Sequence, residues 1–556
     1  MDKQFIFDRN LLSLSRAHAE LCSRFTAAET TLGRYRFVES REGKLLPAWV
    51  DAAGSAHTLH SLTSPEKEAE RLVATLDGAG FIVLLGLGAG FYAAAALRCA
   101  GVEQVLVIDY DINSVAELLC HYDYISLFND ERFSLMIDPE PNEVLNALLN
   151  MYQPVLHGGL ATLPLRARTG NDAENFMPAA NAIKQAVENI AEDFSVQSCF
   201  GKRWFSNIIH NCIISESQNN VLPPVSSAAV TAAGPSLDEQ IPIIKKERAQ
   251  FYLIATDTSL PALLYAGILP DAVISIDCQH ISASHFIGQD ISKLPLFLDL
   301  ASPPLIARRG GKTFFFSGGH PLTNYISANY RNFPTLDTSG ANVTYAGVTI
   351  ACKMGARRIR IFGADYSYPQ GAAYSRGAYF YPYFMRRQNR LRPASSLLSA
   401  FLYKSPSLKK IETETGWYYE TKSLSLYRKR LEEKSRDLTA RIFPAKGGGA
   451  PIAVNDEEMN QAVSRTISLF ASGKAACGAR QFLSDYRRKI LGLPTFTTNI
   501  ARYAETLNPE QKQVFVTLLP AAAAVRYRKN ELAAPALLAE TANYCALKIE
   551  RLLKQS

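Results

Sequence analysis

Two short glycine turns in this chain have a composition suited to binding phosphate. The first is Gly86-Leu87-Gly88-Ala89-Gly90, and the second is Ala233-Gly234-Pro235-Ser236-Leu237. Glycines let backbone N–H groups approach a phosphate at the start of a helix, and Ser236 adds a hydroxyl. Asp109 ends the apolar run VLVID after the first turn, a position from which an acid can accept hydrogen bonds from a ribose. The glycines could instead serve only to make tight strand-to-helix turns.

Two acids follow strand-like runs beyond the second turn. Asp257 lies in IATDTS and Asp277 in SIDCQ. Ligands of doubly wound sheets bind outside the carboxyl ends of the strands, so both acids are candidates to hold sugar hydroxyls or a divalent metal. Capping a helix or forming a turn is the alternative role for each.

A stretch from 338 to 377 combines a turn, a helix, a strand and a loop with two tyrosines. Ser339 and Gly340 lie at the predicted helix start, which favours an anion. Asp365 ends the strand, and Tyr368 and Tyr374 lie three residues to either side of Gly371. Tyrosine hydroxyls can stabilise the charge that develops on a leaving phosphate. Anchoring the loop is their structural alternative.

These residues need α/β units to position them. Residues 71–215 read as strand, glycine turn, helix and strand, which predicts a Rossmann-like domain closed by a helix at about Met177–Phe194. Residues 216–385 hold six further apolar runs, most of them ending near Asp, Ser or Gly, and predict a second α/β domain that binds the substrate. The fold class is therefore α/β, with two such domains in sequence.

Three further segments complete the predicted organisation. Residues 1–70 predict a small mixed α/β module, and 452–556 predict a helical C-terminal domain that includes the pattern DEEMNQAVSRTISLFASG. Between them, 386–451 reads as a basic, aromatic linker or insertion, with GGGAP at 447–451 as a loop signal.

The composition excludes several classes of protein. Of 556 residues, 47% are hydrophobic and 20% charged, which excludes global disorder. The net charge of +7 is local, because residues 386–446 carry 15 Lys or Arg and six Asp or Glu, a surplus of nine. That segment could be a solvated helical surface or could contact an acceptor protein or an anionic sugar, and nucleic acid is not favoured as its partner.

The nine cysteines contain no CxxC, and no apolar stretch is long enough to span a membrane, so we expect reduced thiols and a cytoplasmic location.

The second glycine turn and the segments after it resemble a known family. AAGPSL, ATDTSL, GILPDAVISIDCQ and TSG…AGVTIACKMGARRIRIFGADYS resemble the motility accessory factor (Maf) family, as does LHSLTSPEKEAERL upstream. The resemblance covers most of residues 40–380. It implies a glycosyltransferase that takes a nonulosonic, sialic-acid-like sugar from a CMP-activated donor and attaches it to Ser or Thr of flagellin.

The tyrosine loop carries a second, weaker resemblance. YPQGAAY is similar to the corresponding loop of bacterial sialyltransferases that use a CMP-sugar. This resemblance implies that Ser339, Gly340, Tyr368 and Tyr374 contact the CMP phosphate, with Gly234, Pro235 and Ser236 near the nucleotide.

The expected general base departs from that pattern. The sialyltransferases place a catalytic histidine after the tyrosine loop, whereas the last histidine of this chain is His320. His280, His320 and Asp277 are the substitutes that the sequence offers.

Two other functions stay open. The same motifs resemble an archaeal pterin pyrophosphokinase, which binds ATP and magnesium, although the chain has no GxxxxGK[ST] phosphate loop. A non-catalytic nucleotide-binding module of flagellar assembly is the third possibility. A divalent metal is compatible with the sequence but not required by it.

Overall fold

The computed structural model describes residues 2–16, 19–30, 33–76, 78–218, 224–340, 342–414, 416–454, 473–496, 500–529 and 532–555. The chain forms two compact units. Unit 1 comprises Met1–Gly201, Leu493–Phe515 and Leu519–Asn543, and unit 2 comprises Lys202–Gly492, Val516–Leu518 and Tyr544–Ser556.

Unit 1 begins with a small module whose strands form an antiparallel sheet in the order β1-β2-β3. Its elements are α1 (Lys3–Leu14), α2 (Ala19–Thr26), β1 (Tyr35–Glu39), β2 (Leu45–Val50) and β3 (Ala56–Thr58). The module shares one hydrophobic core with the sheet that follows, since buried Trp49 and Phe25 belong to the same cluster as Val105.

The second sheet of unit 1 is parallel and has the order β6-β5-β4-β7. Its first strand therefore lies between β5 and β7, which is a topological switch point. The elements are α3 (Pro65–Ala74), β4 (Ala79–Leu85), α4 (Phe91–Arg98), β5 (Gln104–Asp109), α5 (Ile112–His121), α6 (Ile125–Phe128), β6 (Phe133–Ile137), α7 (Pro141–Met151), α8 (Pro154–His157), β7 (Gly159–Pro164), α9 (Arg166–Asn171) and α10 (Ala173–Ser215). From Lys202 onward, α10 belongs to unit 2.

Unit 2 contains a seven-stranded parallel sheet and a small antiparallel sheet. Its elements are β8 (Ser227–Thr231), α11 (Leu237–Glu247), β9 (Tyr252–Thr256), α12 (Leu260–Tyr265), β10 (Ala272–Ser275), β11 (Pro295–Asp299), α13 (Pro304–Arg309), β12 (Lys312–Phe316), α14 (Pro321–Asn329), α15 (Val343–Lys353), β13 (Arg358–Phe362), β14 (Tyr368–Pro369), α16 (Phe380–Met385), α17 (Ala394–Leu402), β15 (Lys409–Thr413), β16 (Gly416–Glu420), α18 (Lys422–Ser435), β17 (Arg441–Pro444) and α19 (Ala479–Leu491). Short 3₁₀ helices cover Arg248–Gln250 and His280–Phe286. The last helices of the chain are α20 (Ile500–Thr506), α21 (Pro509–Arg526) and α22 (Ala534–Lys554).

The large sheet of unit 2 also has its first strand in the interior. The order is β12-β11-β10-β9-β8-β13-β17, and every pair is parallel. The strands β9 to β12 extend the sheet on one side of β8, and β13 pairs with the other side of β8. The loops after β8 and β13 therefore meet at the carboxyl edge of the sheet, where doubly wound folds bind ligands.

The predicted fold class is confirmed, and two predicted segments differ in the structure. The helix predicted at Met177–Phe194 is the middle of the 43-residue α10. The segment 386–451, predicted as a linker or an insertion, contributes strands to both sheets of unit 2, because β17 pairs with β13 and the β15–β16 hairpin pairs with β14. In the C-terminal part, α19–α22 are helical as expected, whereas the pattern DEEMNQAVSRTISLFASG lies, apart from its last glycine, outside the described residues.

Within the part of the chain that the structure describes, no helix has both the length and the apolar character needed to cross a membrane.

Candidate functional site

The first glycine turn, after β4, already uses its backbone amides within the protein. The N–H of Leu87 donates to Asp109 Oδ2 (2.7 Å), and that of Ala89 donates to His60 Nε2 (3.0 Å). A Cβ on Gly88 would lie 2.6 Å from the same His60 nitrogen. The small N-terminal module therefore covers the turn that would have to approach a phosphate.

The acid at the end of β5 is likewise engaged. Asp109 is fully buried, and its Oδ1 lies 3.2 Å from the guanidinium of Arg168, which is itself fully buried. Arg168 also bonds to Asp172 (2.6 Å) and lies 4.1 Å from the Trp49 ring centroid. Burial raises the pKa of Asp109, and the charge of Arg168 opposes that rise.

The prediction that a nucleotide binds at Gly86, Gly88, Gly90 and Asp109 stays a prediction, and these contacts weigh against it. The alternative interpretation fits the structure, because the glycines make a tight turn and Asp109 holds a buried arginine where a ribose would lie. The Rossmann-like sheet is present, but its switch point is filled by the protein's own side chains.

The second glycine turn, after β8, packs directly against the loop after β13. The N–H of Gly234 donates to the Gly363 carbonyl, and the N–H of Ser236 donates to Asp365 Oδ2 at 2.9 Å. A Cβ on Gly234 would lie 2.3 Å from that carboxylate oxygen. Gly234 therefore permits the close approach of Asp365, and Pro235 begins the turn that leads into α11.

The segment GGGAP closes the same corner. The N–H of Gly448 donates to Ser236 Oγ (2.9 Å), and Gly449 packs against the Asp365 side chain. Asp365 is buried, and burial raises the pKa of its carboxyl. The polar groups of Ser236 and Asp365 are thus committed to joining three loops. This differs from the contact with a phosphate that was expected of the Ser236 hydroxyl. The polar groups that remain unbonded at this edge of the sheet belong to other residues.

The tyrosine loop is attached to the glycine turn by a backbone hydrogen bond. The N–H of Ser375 donates to the Ala233 carbonyl at 2.9 Å. Tyr374 stacks on Phe380 with ring centroids 4.1 Å apart and planes 7° apart, and its carbonyl accepts from the Tyr381 hydroxyl (2.8 Å). These contacts fix Tyr374 beside the switch point.

Both tyrosine hydroxyls are available as hydrogen-bond donors. Tyr368 begins β14, whose pairing with Tyr419 of β16 sets its position. Burial raises the pKa of Tyr368 and also that of Tyr374, with Tyr368 and Asp257 adding to the rise in the second case. Among the residues that the structure describes, no hydrogen bond engages either hydroxyl. Two protonated phenols therefore lie at this edge with donors unused.

Asp257 lies within electrostatic reach of Tyr374, as the neighbouring strand ends predict. It is buried, accepts from Ser275 Oγ at 2.6 Å and accepts from the Thr258 N–H at 2.7 Å. Burial raises its pKa, and the nearby imidazole of His285 acts in the opposite direction.

His285 is a residue that the sequence analysis missed. It lies in the 3₁₀ helix after β10, is buried, and contacts Tyr379 edge-on with centroids 5.5 Å apart. Its Nδ1 has no hydrogen-bond partner among the described residues. The only signal was its place in the loop after a strand, which His280 shares, so the sequence could not separate the two.

The other candidate bases lie in different surroundings. Asp277 is half-buried and accepts from the Gln279 N–H, as an acid in a turn does, and His280 is exposed. His320 Nδ1 caps α14 by accepting from the Leu322 N–H (3.1 Å), and its ring meets Trp204 edge-on. Burial lowers the pKa of His320 to about 3, which keeps it neutral.

The predicted anion site at Ser339 and Gly340 is not at a helix start. The helix α15 begins at Val343 and is capped by the side chain of Asn342. Ser339 donates through both its N–H and its hydroxyl to Asp337, which also accepts from Lys434 (3.0 Å). The placement at a helix start is therefore wrong, and Asp337 occupies the Ser339 groups, whereas contact of Ser339 and Gly340 with a CMP phosphate stays a prediction.

No group of three or more His, Cys, Asp or Glu side chains that could hold a metal ion occurs in the described ranges. Asp257, Asp277 and Asp299 follow three adjacent strands, but each accepts hydrogen bonds from its own turn or neighbouring strand. Burial raises the pKa of Asp299 to about 7. The arrangement is thus one of separate, internally bonded acids and of the hydroxyls of Tyr368 and Tyr374, which lie within electrostatic reach of each other.

Known proteins resemble this chain over parts of its length or over nearly all of it. Residues 202–371, which contain the second glycine turn and most of the tyrosine loop, match the family model described as 6-hydroxymethylpterin diphosphokinase MptE-like. An uncharacterized protein of Treponema pallidum is 34% identical over 140 residues, which cover 24% of this chain and 67% of that protein. A second from the same organism is 27% identical over 146 residues, 26% of this chain and 51% of that protein, so the chain spans only about half to two thirds of these relatives.

The solved structure of a Maf glycosyltransferase from Magnetospirillum magneticum AMB-1 has the same architecture. The similarity covers 99% of this chain and 95% of that one, with a TM-score of 0.57 and 14% sequence identity. The chain therefore belongs to one family with the first Treponema pallidum protein, and it has the fold of the Maf glycosyltransferase along nearly its whole length.

Proposed function

We propose that the chain is a glycosyltransferase that moves a nonulosonic sugar from a CMP donor to Ser or Thr of flagellin. The observation that carries the proposal is the position of the tyrosine loop. Ser375 ties it to Ala233, so two unpaired phenols lie beside the switch point where a nucleotide is expected. The Maf fold and the sequence resemblance support the donor and acceptor classes.

The proposed reaction is a displacement at the anomeric carbon of the sugar. The acceptor hydroxyl oxygen attacks that carbon, and the bond from the carbon to the phosphate oxygen of CMP breaks. Tyr368 and Tyr374 donate hydrogen bonds to the phosphate oxygens as negative charge develops there. Since burial raises the pKa of both phenols, each retains the proton that it donates at neutral pH.

The rigid setting of Tyr374 adds to this effect. Its ring is stacked on Phe380 and its carbonyl is bonded to the Tyr381 hydroxyl, so the phenol is held before a ligand arrives. A donor that is already oriented loses little entropy in the transition state.

A pterin-type pyrophosphokinase is the second candidate, and the MptE-like match over 202–371 favours it. That activity would use ATP with magnesium. No metal-holding cluster occurs in the described parts of the chain, but phosphates of a nucleotide could supply ligands of their own. A non-catalytic nucleotide-binding module is the third candidate.

Ligand-induced thermal stabilisation separates these candidates, because a ligand that binds only the folded state raises the midpoint of unfolding. We expect stabilisation by CMP and less by ATP with magnesium or by S-adenosylmethionine. Stronger stabilisation by ATP with magnesium, joined to pyrophosphoryl transfer, would favour the kinase instead. Stabilisation by CMP with unchanged flagellin mass in a strain that lacks the protein would favour the binding module.

A further inference from the structure

The proposed transfer needs a group that accepts the proton of the acceptor hydroxyl, and unit 2 contains four histidines. Three of them have other roles or surroundings. His210 bonds through Nδ1 to the Ser206 carbonyl within α10, His280 is exposed, and His320 caps α14. The fourth, His285, lies against the segment that follows the tyrosine loop.

A chain of aromatic contacts joins His285 to Tyr374. The imidazole lies edge-on to Tyr379, and its centroid is 6.3 Å from that of Phe380. Phe380 in turn stacks on Tyr374 at 4.1 Å. The histidine and the proposed phosphate-binding phenol therefore flank one aromatic ring.

The imidazole is buried yet incompletely bonded. Its residue is 7% exposed, and Nδ1 has no hydrogen-bond partner in the described part of the chain. A buried polar nitrogen without a partner gives up the hydrogen bonds that it makes with water in the unfolded chain. Such a group calls for an explanation, and a substrate hydroxyl that bonds to it provides one.

Asp257 lies within electrostatic reach of the His285 imidazole. Its carboxylate and His285 interact electrostatically at the ends of neighbouring strands, and Asp277 lies within reach of the same carboxylate. The elements packed beside the 3₁₀ helix include α12, α13 and α16. Tyr265 of α12 and the terminal Arg308 and Arg309 of α13 are exposed. Buried Asp257 is therefore one acid that acts on His285.

We infer that His285 is the general base of the proposed transfer, in the place of a histidine after the tyrosine loop. Nδ1 takes the proton of the acceptor hydroxyl as its oxygen bonds to the anomeric carbon, and the CMP phosphate departs with the electron pair of the broken bond. The imidazolium then gives the proton to solvent. This inference rests on the proposed glycosyltransferase function and adds the identity of the base.

The test compares His285→Gln with wild type and with His210→Gln as the matched control, using CMP-N-acetylneuraminate as donor and flagellin as acceptor. We expect CMP binding to persist in all three proteins and transfer by His285→Gln to fall about 100-fold or more. We also expect the acid limb of the wild-type pH–rate profile to be absent from that variant. Added imidazole should restore part of the activity of His285→Ala.

The outcomes separate the two proposals. A wild-type protein that transfers the sugar, together with a His285→Gln variant of near-normal rate and unchanged pH profile, would overturn the assignment of the base alone. Wild-type protein that neither binds CMP nor transfers the sugar would overturn the proposed function and the assignment with it. Loss of CMP binding in folded His285→Gln would also overturn the assignment, because the residue would then be required for the nucleotide.

Discussion

Ser236 and Asp365 join the two loops that flank the interior strand of the large sheet. The Ser236 N–H donates to Asp365 Oδ2 at 2.9 Å, and the Ser236 hydroxyl accepts from Gly448, so the loops after β8, β13 and β17 are fixed to one another. The tyrosine loop follows directly from Asp365. Internal hydrogen bonds therefore already fix the loops that hold its phenols.

Gly234→Ala should disturb the packing of these loops and lower the stability of the protein. The new Cβ would meet Asp365 Oδ2 at 2.3 Å and the Gly363 carbonyl oxygen at 2.5 Å, and backbone cannot move away cheaply. We expect a loss of about 1–3 kcal/mol in the free energy of unfolding, measured by urea denaturation. Gly448→Ala is the control, since its Cβ would meet only Pro369 at 3.5 Å. Equal stability of the two variants would contradict the close packing.

Asp109→Asn should destabilise unit 1 without altering CMP binding. The change leaves the buried charge of Arg168 with less compensation, and breaking a buried ion pair costs about 3–5 kcal/mol. Glu70→Gln removes an exposed pair with Arg98 and should cost less than about 1 kcal/mol. Thermal unfolding with and without CMP measures both effects. Loss of the CMP-induced shift in folded Asp109→Asn would return the nucleotide to the first glycine turn.

His320 should make unit 2 sensitive to acid. Burial lowers its pKa from 6.5 to about 3, so the unfolded chain binds the proton that the folded chain does not. Stability is therefore lost as the pH falls below 6.5, by about 2 kcal/mol at pH 5. In His320→Asn, whose amide oxygen can still cap α14, the loss between pH 7 and pH 5 should shrink by that amount. Parallel stability curves for wild type and variant would contradict the neutral, buried state of His320.

The exposed arginines after α16 should affect the acceptor more than the donor. Arg386 and Arg390 are exposed and follow the helix whose Phe380 stacks on Tyr374. We expect the double change Arg386→Glu and Arg390→Glu to raise the KM for flagellin several-fold while CMP affinity stays constant. Unchanged flagellin kinetics would indicate that this basic surface is only solvated.

The sequence was sufficient for the strands β8 to β13, because buried parallel strands appear as short apolar runs that end at polar turns. It did not predict β15 to β17 in the segment that follows. It placed Tyr374, Asp257 and Gly234 at one sheet edge correctly. It could not show that Asp365 and Gly448 bond to Ser236, since those contacts join residues more than 120 positions apart.

The same limit explains the first glycine turn. Its local pattern is compatible with nucleotide binding, and only the tertiary packing of His60 and Arg168 shows that the site is filled. His285 was missed for a related reason. His285 is placed by contacts with aromatic rings about 95 positions later in the chain, and no local motif indicates such contacts.

The most direct test of the account is sugar transfer by Tyr374→Phe, measured from the intact mass of flagellin after incubation with CMP-N-acetylneuraminate. Phenylalanine keeps the stacking on Phe380 and removes only the hydroxyl, so the fold and CMP binding should persist while kcat falls about 100-fold. Tyr383→Phe, which removes a hydroxyl from the same helix region, should react as wild type does. Wild-type rates in both variants would contradict the claim that the tyrosine loop stabilises the departing phosphate.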